Sequence, residues 1–227
     1  MKSFLLLYST ICDIIRKILY RNASNKSDLL EELGQLCVSD RGKTGIQAIV
    51  TYNFDDLMEK NLDRLRIKYC SVSQDAITPA NDELGIYHVH GFLPQKGDIV
   101  RNSLIVFSED GYHKLMLDPY HWANMKQLNY MMNNTCLFVG VSMTDPNMRR
   151  LLEVAANKDE SGDVRCRHYA ILPRFSITSN KSSDVIQKFE SINETLQETM
   201  YRELGINVLW VDDFEDVPQI IKKIKGD

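Results

Sequence analysis

Three short segments carry side chains that could do chemistry together. Thr51-Tyr52-Asn53-Phe54-Asp55 follows the run Ile46-Gln47-Ala48-Ile49-Val50. His90-Gly91 follows Ile86-Tyr87-His88-Val89. Gly140-Val141-Ser142-Met143-Thr144-Asp145 follows Cys136-Leu137-Phe138-Val139. A histidine titrates close to neutrality, so His90 suits proton removal from water or from a hydroxyl. An asparagine amide holds water and hydroxyl groups in line without adding charge, a positioning effect that suits Asn53. Asp145-Pro146 reads as a helix start: the aspartate accepts from free backbone N–H groups, and proline in the first turn loses no hydrogen bond. Those N–H groups also attract anions, with Asp145 as a competitor. Each segment has a plainer reading beside the chemical one. Asn53 and Asp55 also suit a helix cap, His90 a hydrogen-bonded core position, and Gly140-x-Ser142 a tight turn.

The elements that must hold these segments are short β-branched runs alternating with amphipathic helices. Extended runs are expected at 46–50, 86–89, 104–107, 136–139, 168–172 and 206–210. Helical patterns are expected over an N-terminal stretch, over 29–37, 55–65, from Ser108-Glu109 through Tyr112 and Leu115, over 120–132, from Asp145-Pro146, over 184–204 with a stop at Gly205, and over 217–224. Such alternation argues for an α/β fold with a doubly wound, mostly parallel sheet. In open parallel sheets, ligands bind beyond the carboxyl ends of the strands. The three segments follow strands in just this way, so their convergence on one edge points to a ligand site. His88 is expected on the face opposite His90, because strand side chains alternate, and reads as structural.

The chain has 227 residues, 44% hydrophobic and 26% charged, with a net charge of −4. This suits one domain, read as a helical lead-in over 1–43 and a core over 44–227, and it gives no general attraction to nucleic acid or anionic membranes. Cys12, Cys37, Cys70, Cys136 and Cys166 are widely spaced and form no C-x-x-C pair, so no metal site is expected and buried reduced thiols are. His113, His121 and His168 have no metal-like spacing. Arg149 and Arg150 suit a solvated helix face, and Trp122 and Trp210 core or interface anchors. In the first helix, Leu7, Ile11, Ile14, Ile15 and Ile18 recur at helical spacing and are expected on the core. The apolar N-terminal run is too short for a membrane span and lacks a cleavage signal, which leads us to expect a cytoplasmic protein.

The motifs resemble a known family. Thr51-Tyr52-Asn53-Phe54-Asp55 looks like the sirtuin T-Q-N-I-D motif, His90-Gly91 the H-G pair, and Gly140-Val141-Ser142 the G-T-S turn. The longer strings Ile86-Tyr87-His88-Val89-His90-Gly91-Phe92-Leu93-Pro94 and Phe138 through Leu152 resemble the sirtuin-like domains of bacterial antiphage-defence proteins. The likeness runs from about Lys17 to the C-terminus. It implies a Rossmann-like fold and hydrolysis of NAD to nicotinamide and ADP-ribose, with NAD as substrate. It also implies a homo-oligomer or a defence-system partner protein. By the same resemblance, Asn53 would orient the nicotinamide ribose and the attacking water, and Asp55 would contact the carboxamide. His90 would be the general base, and Gly140 and Ser142 would line the ribose and phosphates. Thr51, Tyr52 and Asp145 would complete the NAD site.

Two departures temper this expectation. Sirtuin deacetylases carry a zinc module with paired C-x-x-C motifs, absent here, which argues against deacetylation. The family also begins with a strand and a glycine-rich G-A-G-x-S turn that cradles the pyrophosphate. Over residues 1–43 this sequence offers Gly34 and Gly42, neither after a strand, and so reads as an N-terminally truncated form of the fold. The competing expectation is therefore a non-catalytic sirtuin-like nucleotide-binding or scaffold module acting through a partner or oligomer.

Overall fold

The computed structural model describes residues 2–22, 27–38, 45–97, 105–106, 109–156, 164–176 and 183–225. The chain divides into two compact units, Met1–Met125 with Ile221–Asp227, and Lys126–Ile220.

The first unit contains α1 (Lys2–Leu19), α2 (Asp28–Leu36), β1 (Ala48–Thr51), α3 (Leu57–Arg64), β2 (Tyr69–Val72), β3 (Leu84–His88) and α4 (Glu109–Leu117). Its strands form a three-stranded sheet in the order β1-β3-β2, parallel throughout. The central strand β3 is buried along its whole length, as a strand covered on both faces must be. Leu84 and Ile86 of β3 form a core with Leu62 of α3, against which Ile49, Met58 and Tyr69 pack. The register pairs Thr51 with His88, so the chain leaves β1 and β3 side by side. Gly34 lies in α2, where a Cβ would collide with the side chain of Asn61 on α3; its role is close helix approach. Gly42 lies outside the described residues.

Three expectations change in this unit. The strand β2 was not foreseen, because Cys70 and Ser71 interrupt its β-branched pattern; its pairing with β3 supplies what local propensity does not. The strand expected over 104–107 is not seen in its described part: Ile105 is buried, and the Val106 N–H donates to the His90 carbonyl at 2.8 Å without a ladder. Leu104, Phe107 and Ser108 lie outside the described residues. On α1 the packed face is Tyr8, Cys12 and Ile15, which meet Leu93 and Ile105, whereas Ile11, Ile14 and Ile18 are exposed. Apolar residues lie on more than one side of this helix, so periodicity left its buried face open.

The second unit contains β4 (Leu137–Val139), α6 (Pro146–Ala155), β5 (His168–Pro173), α7 (Ser183–Glu203) and β6 (Ile206–Val211). The unit boundaries fall within α5 (Trp122–Asn133) and α8 (Val217–Lys225). Its sheet has the order β4-β5-β6, again parallel throughout. On α6, Met148, Leu151, Leu152 and Ala155 are buried, at the i, i+3, i+4, i+7 spacing of one helix face. The Asp145 carboxylate accepts from the Met148 N–H at 2.7 Å, and Pro146 occupies the first turn, as expected. His168 is buried at the start of β5, where its Nδ1 accepts the Cys136 N–H at 3.1 Å. Burial, reinforced by Arg167, pushes its pKa down to about 4, so the ring is neutral and free to accept.

Both sheets are parallel and alternate with helices, which makes the fold α/β as the sequence pattern implies. The cysteines form no disulfide. Among the described residues no helix is long and apolar enough to cross a membrane.

Candidate functional site

The strands β1 and β3 end together, and the loops that leave them are tied by backbone hydrogen bonds. The Val89 N–H donates to the Thr51 carbonyl at 3.2 Å, and the Leu93 N–H to the Phe54 carbonyl at 2.7 Å. Gly91 has φ +106°, a conformation that suits glycine, and its N–H donates to the His88 carbonyl at 3.1 Å. The turn at Gly91 thus lets the chain fold back on β3 while Leu93 stays beside Phe54.

Within this frame Thr51, Tyr52, Asn53 and His90 are gathered. The Asn53 N–H donates to Thr51 Oγ1 at 3.1 Å. The Tyr52 ring meets the His90 imidazole edge to face, with centroids 4.8 Å apart. Tyr112 of α4 makes a second edge contact with His90 at 6.3 Å. The side chain of Asn53 is exposed, whereas Tyr52 and His90 are half-buried. Asp55 turns toward the helix: its Oδ1 accepts the Leu57 N–H at 3.1 Å, a local turn from the residue before the cap, because the N-cap position of α3 is Asp56.

A second layer was not legible in the motifs. The Tyr20 hydroxyl accepts the Asp56 N–H and donates to the Leu93 carbonyl, each at 2.9 Å. It therefore bridges the two loops. Burial raises the Tyr20 pKa further above the ordinary tyrosine value, which keeps the hydroxyl protonated and able to donate. Asp56 accepts the Gln95 N–H at 3.0 Å and pairs with Lys60 at 2.7 Å. Burial pushes its pKa up, but Lys60, the Gln95 N–H and Tyr20 together outweigh that and hold it below the ordinary value. Behind the loops, buried His88 contacts both Glu59 of α3, at 2.7 Å, and the carbonyl of Asn53, at 3.2 Å. His88 is thus buried, as its place on the strand predicts.

Beside Gly91 lies a cavity of about 290 Å³, lined by Ser73, Asp75, Val89, His121 and Trp122 among others. The Nδ1 of His121 faces the Ala123 N–H at 3.3 Å, and burial lowers its pKa against the opposing pull of Asp118 and Asp75. Its ring therefore favours the neutral form, with the proton on Nε2.

The remaining sequence candidates lie in the second unit, at the exit of β4. Gly140 has φ +68°, and Met143, buried, has φ +58°. The Ser142 and Thr144 hydroxyls are 2.8 Å apart and both exposed. Asp145 is committed to its cap. Among the described residues no group of three or more His, Cys, Asp or Glu could hold a metal ion.

A parallel α/β fold with an asparagine loop and a His-Gly turn at adjacent strand ends defines a class. The SIR2-like domain family matches residues 47–196, and the chain belongs to it. It is 28% identical over 187 residues to a protein of Enterococcus faecium called NAD(+) hydrolase ThsA, covering 79% of this chain and 38% of that one. It is 27% identical over 221 residues to the NAD(+) hydrolase ThsA of Bacillus cereus, covering 93% of this chain and 42% of that one. The chain thus spans about two fifths of the length of these relatives.

Proposed function

We propose that this chain cleaves the bond between nicotinamide and ribose in NAD, with water as acceptor, giving nicotinamide and ADP-ribose. The observation that carries the reading is the ring contact of Tyr52 with His90, which sets the residue before Asn53 against the candidate base. As the glycosidic bond breaks, nicotinamide leaves with the bonding electron pair and becomes neutral, while positive charge builds on the ribose. Asn53, exposed on its loop, holds the ribose hydroxyls and the incoming water. The water oxygen bonds to the ribose carbon and its proton passes to His90. No change in redox state occurs, and one proton is released overall. The activity for which the two relatives are named supports NAD as the substrate. Gly140, Ser142 and the helix start at Asp145 are assigned to the phosphate side by sequence resemblance, as are the antiphage role and the assembly into an oligomer.

The test is nicotinamide release from NAD by the purified chain, beside Asn53→Ala and His90→Ala. The expected outcome is release by the parent that falls at least about 100-fold in each variant, the order of effect of a removed acid–base or positioning group. Release that persists in both variants would overturn the assignment. Binding of NAD without release by the parent would favour the non-catalytic module.

A further inference from the structure

His88 carries the inference. It is 1% exposed at the end of β3, two residues before His90, yet it does not serve only to fill the core. Its Nε2 lies 2.7 Å from Glu59 Oε1, and its Nδ1 lies 3.2 Å from the main-chain carbonyl of Asn53. The same Glu59 oxygen accepts the Ser71 hydroxyl of β2 at 2.8 Å. The Phe92 ring, 4.1 Å from the imidazole centroid, restricts the remaining freedom of the ring. Both ring nitrogens face acceptor oxygens, so with a proton on each of them a continuous line of hydrogen bonds runs from Ser71 through Glu59 and His88 to Asn53. At its far end the Asn53 N–H is held by Thr51 Oγ1. The exposed amide side chain therefore rises from a residue whose main-chain N–H and C=O are both held.

Stability alone is a poor reason for this arrangement. Glu59 is 4% exposed, and its Oε2 has no hydrogen-bond partner among the described residues. Burying a carboxylate with one oxygen unsatisfied is costly, and a buried acid–base pair is often no more stabilising than apolar residues of the same volume. What the pair does supply is a rigid donor aimed at one carbonyl in the loop that bears the candidate ribose-holding residue.

We propose that His88 and Glu59 are positioning residues for the Asn53 loop, setting the orientation of its amide for turnover rather than for NAD capture; this rests on the NAD-cleavage reading above. Neither residue touches the substrate. The two amide replacements of His88 separate this role from a structural one. In His88→Asn the amide nitrogen stands near the place of Nδ1 and can still donate to the Asn53 carbonyl. In His88→Gln it stands near the place of Nε2 and reaches Glu59 instead. Positioning ranks Asn above Gln; service as a mere partner for buried Glu59 ranks Gln at or above Asn.

The experiment is steady-state NAD cleavage by the full chain, with thermal melting as a folding control. The expected result for His88→Gln is a kcat about 10- to 100-fold lower, the scale of a misplaced catalytic group, with KM within about threefold of the parent. His88→Asn recovers most of that loss. Equal kcat in the parent and His88→Gln, or Gln outperforming Asn, overturns the proposal while leaving the hydrolase reading intact. A parent that leaves NAD uncleaved fails the hydrolase reading and takes the proposal with it. Should His88→Gln not fold, Glu59→Gln decides by the same kinetics and by hydrogen exchange of residues 51–57. Faster exchange with lower kcat at constant KM supports positioning, and unchanged values of both overturn it.

Discussion

The Tyr20 hydroxyl accepts the backbone N–H of Asp56 at 2.9 Å and, with its own proton, reaches the carbonyl of Leu93. One side chain at the end of α1 thereby joins the loop bearing Asn53 to the segment following His90. Tyr20→Phe keeps the ring, and with it the surface over which Lys60 sits 4.8 Å from the centroid. It removes the bridge and leaves a half-buried N–H and C=O to find water. The expected cost is about 1–3 kcal/mol in urea unfolding. Activity should fall as well, because the loop joint is loosened. A variant as stable and as active as the parent would show that the bridge is incidental.

Gly91 gives a second test of the same joint. At φ +106° an alanine is strained, and the expected penalty is about 1–3 kcal/mol. The strain should be relieved by moving the peptide, which disturbs the Leu93 N–H bond to Phe54. Gly91→Ala should therefore lower both the melting temperature and NAD turnover. A loss of stability with full turnover would place the glycine in folding only.

What the sequence allowed one to read depended on range. The cap at Asp145 was legible because its partner, Met148, lies three residues away and cap chemistry is local. The ends of β1 and β3 were legible because β-branched runs stop at polar or small residues. The partners of those ends were not. Tyr20 lies 36 residues from Asp56, and Glu59 lies 29 from His88. Nothing in residue type or spacing announces such pairs, since only the parallel register of β1 on β3 and the packing of α1 and α3 create them. For the same reason β2 escaped notice: Ser71 breaks the apolar pattern, yet its hydroxyl is what Glu59 requires. The buried face of α1 was missed for a different reason, too many apolar residues rather than too few.

Asp145 provides a prediction in the second unit. Removing the cap in Asp145→Ala should cost about 0.5–2 kcal/mol, whereas Asp145→Asn should be nearly neutral because asparagine caps as well. The pair also separates the cap from its charge. If phosphates approach this helix start, Asp145→Asn should tighten NAD binding by removing a competing negative charge, with little change in melting temperature. Unchanged affinity in Asp145→Asn would remove this helix start from the phosphate side of the site.

His168 predicts how the protein responds to acid. Its pKa is pushed from the ordinary 6.5 down to about 4, first by burial and then by Arg167. In the native state the ring prefers to be neutral, because Nδ1 must accept the Cys136 N–H. Above about pH 6.5 the native and unfolded chains both hold a neutral ring, and the contribution to stability is intact. As pH falls from there toward 4, the unfolded chain takes up a proton that the native ring refuses, so stability declines. Below about 4 both states are protonated and nothing further is lost from this group. From pH 7 to pH 5 the decline attributable to His168 is about 2 kcal/mol. His168→Asn offers a carbonyl acceptor to Cys136 without a titrating ring. Urea unfolding at the two pH values should therefore show a smaller drop for the variant than for the parent. Equal drops would mean that the His168–Cys136 contact is not what ties the second sheet to neutral pH.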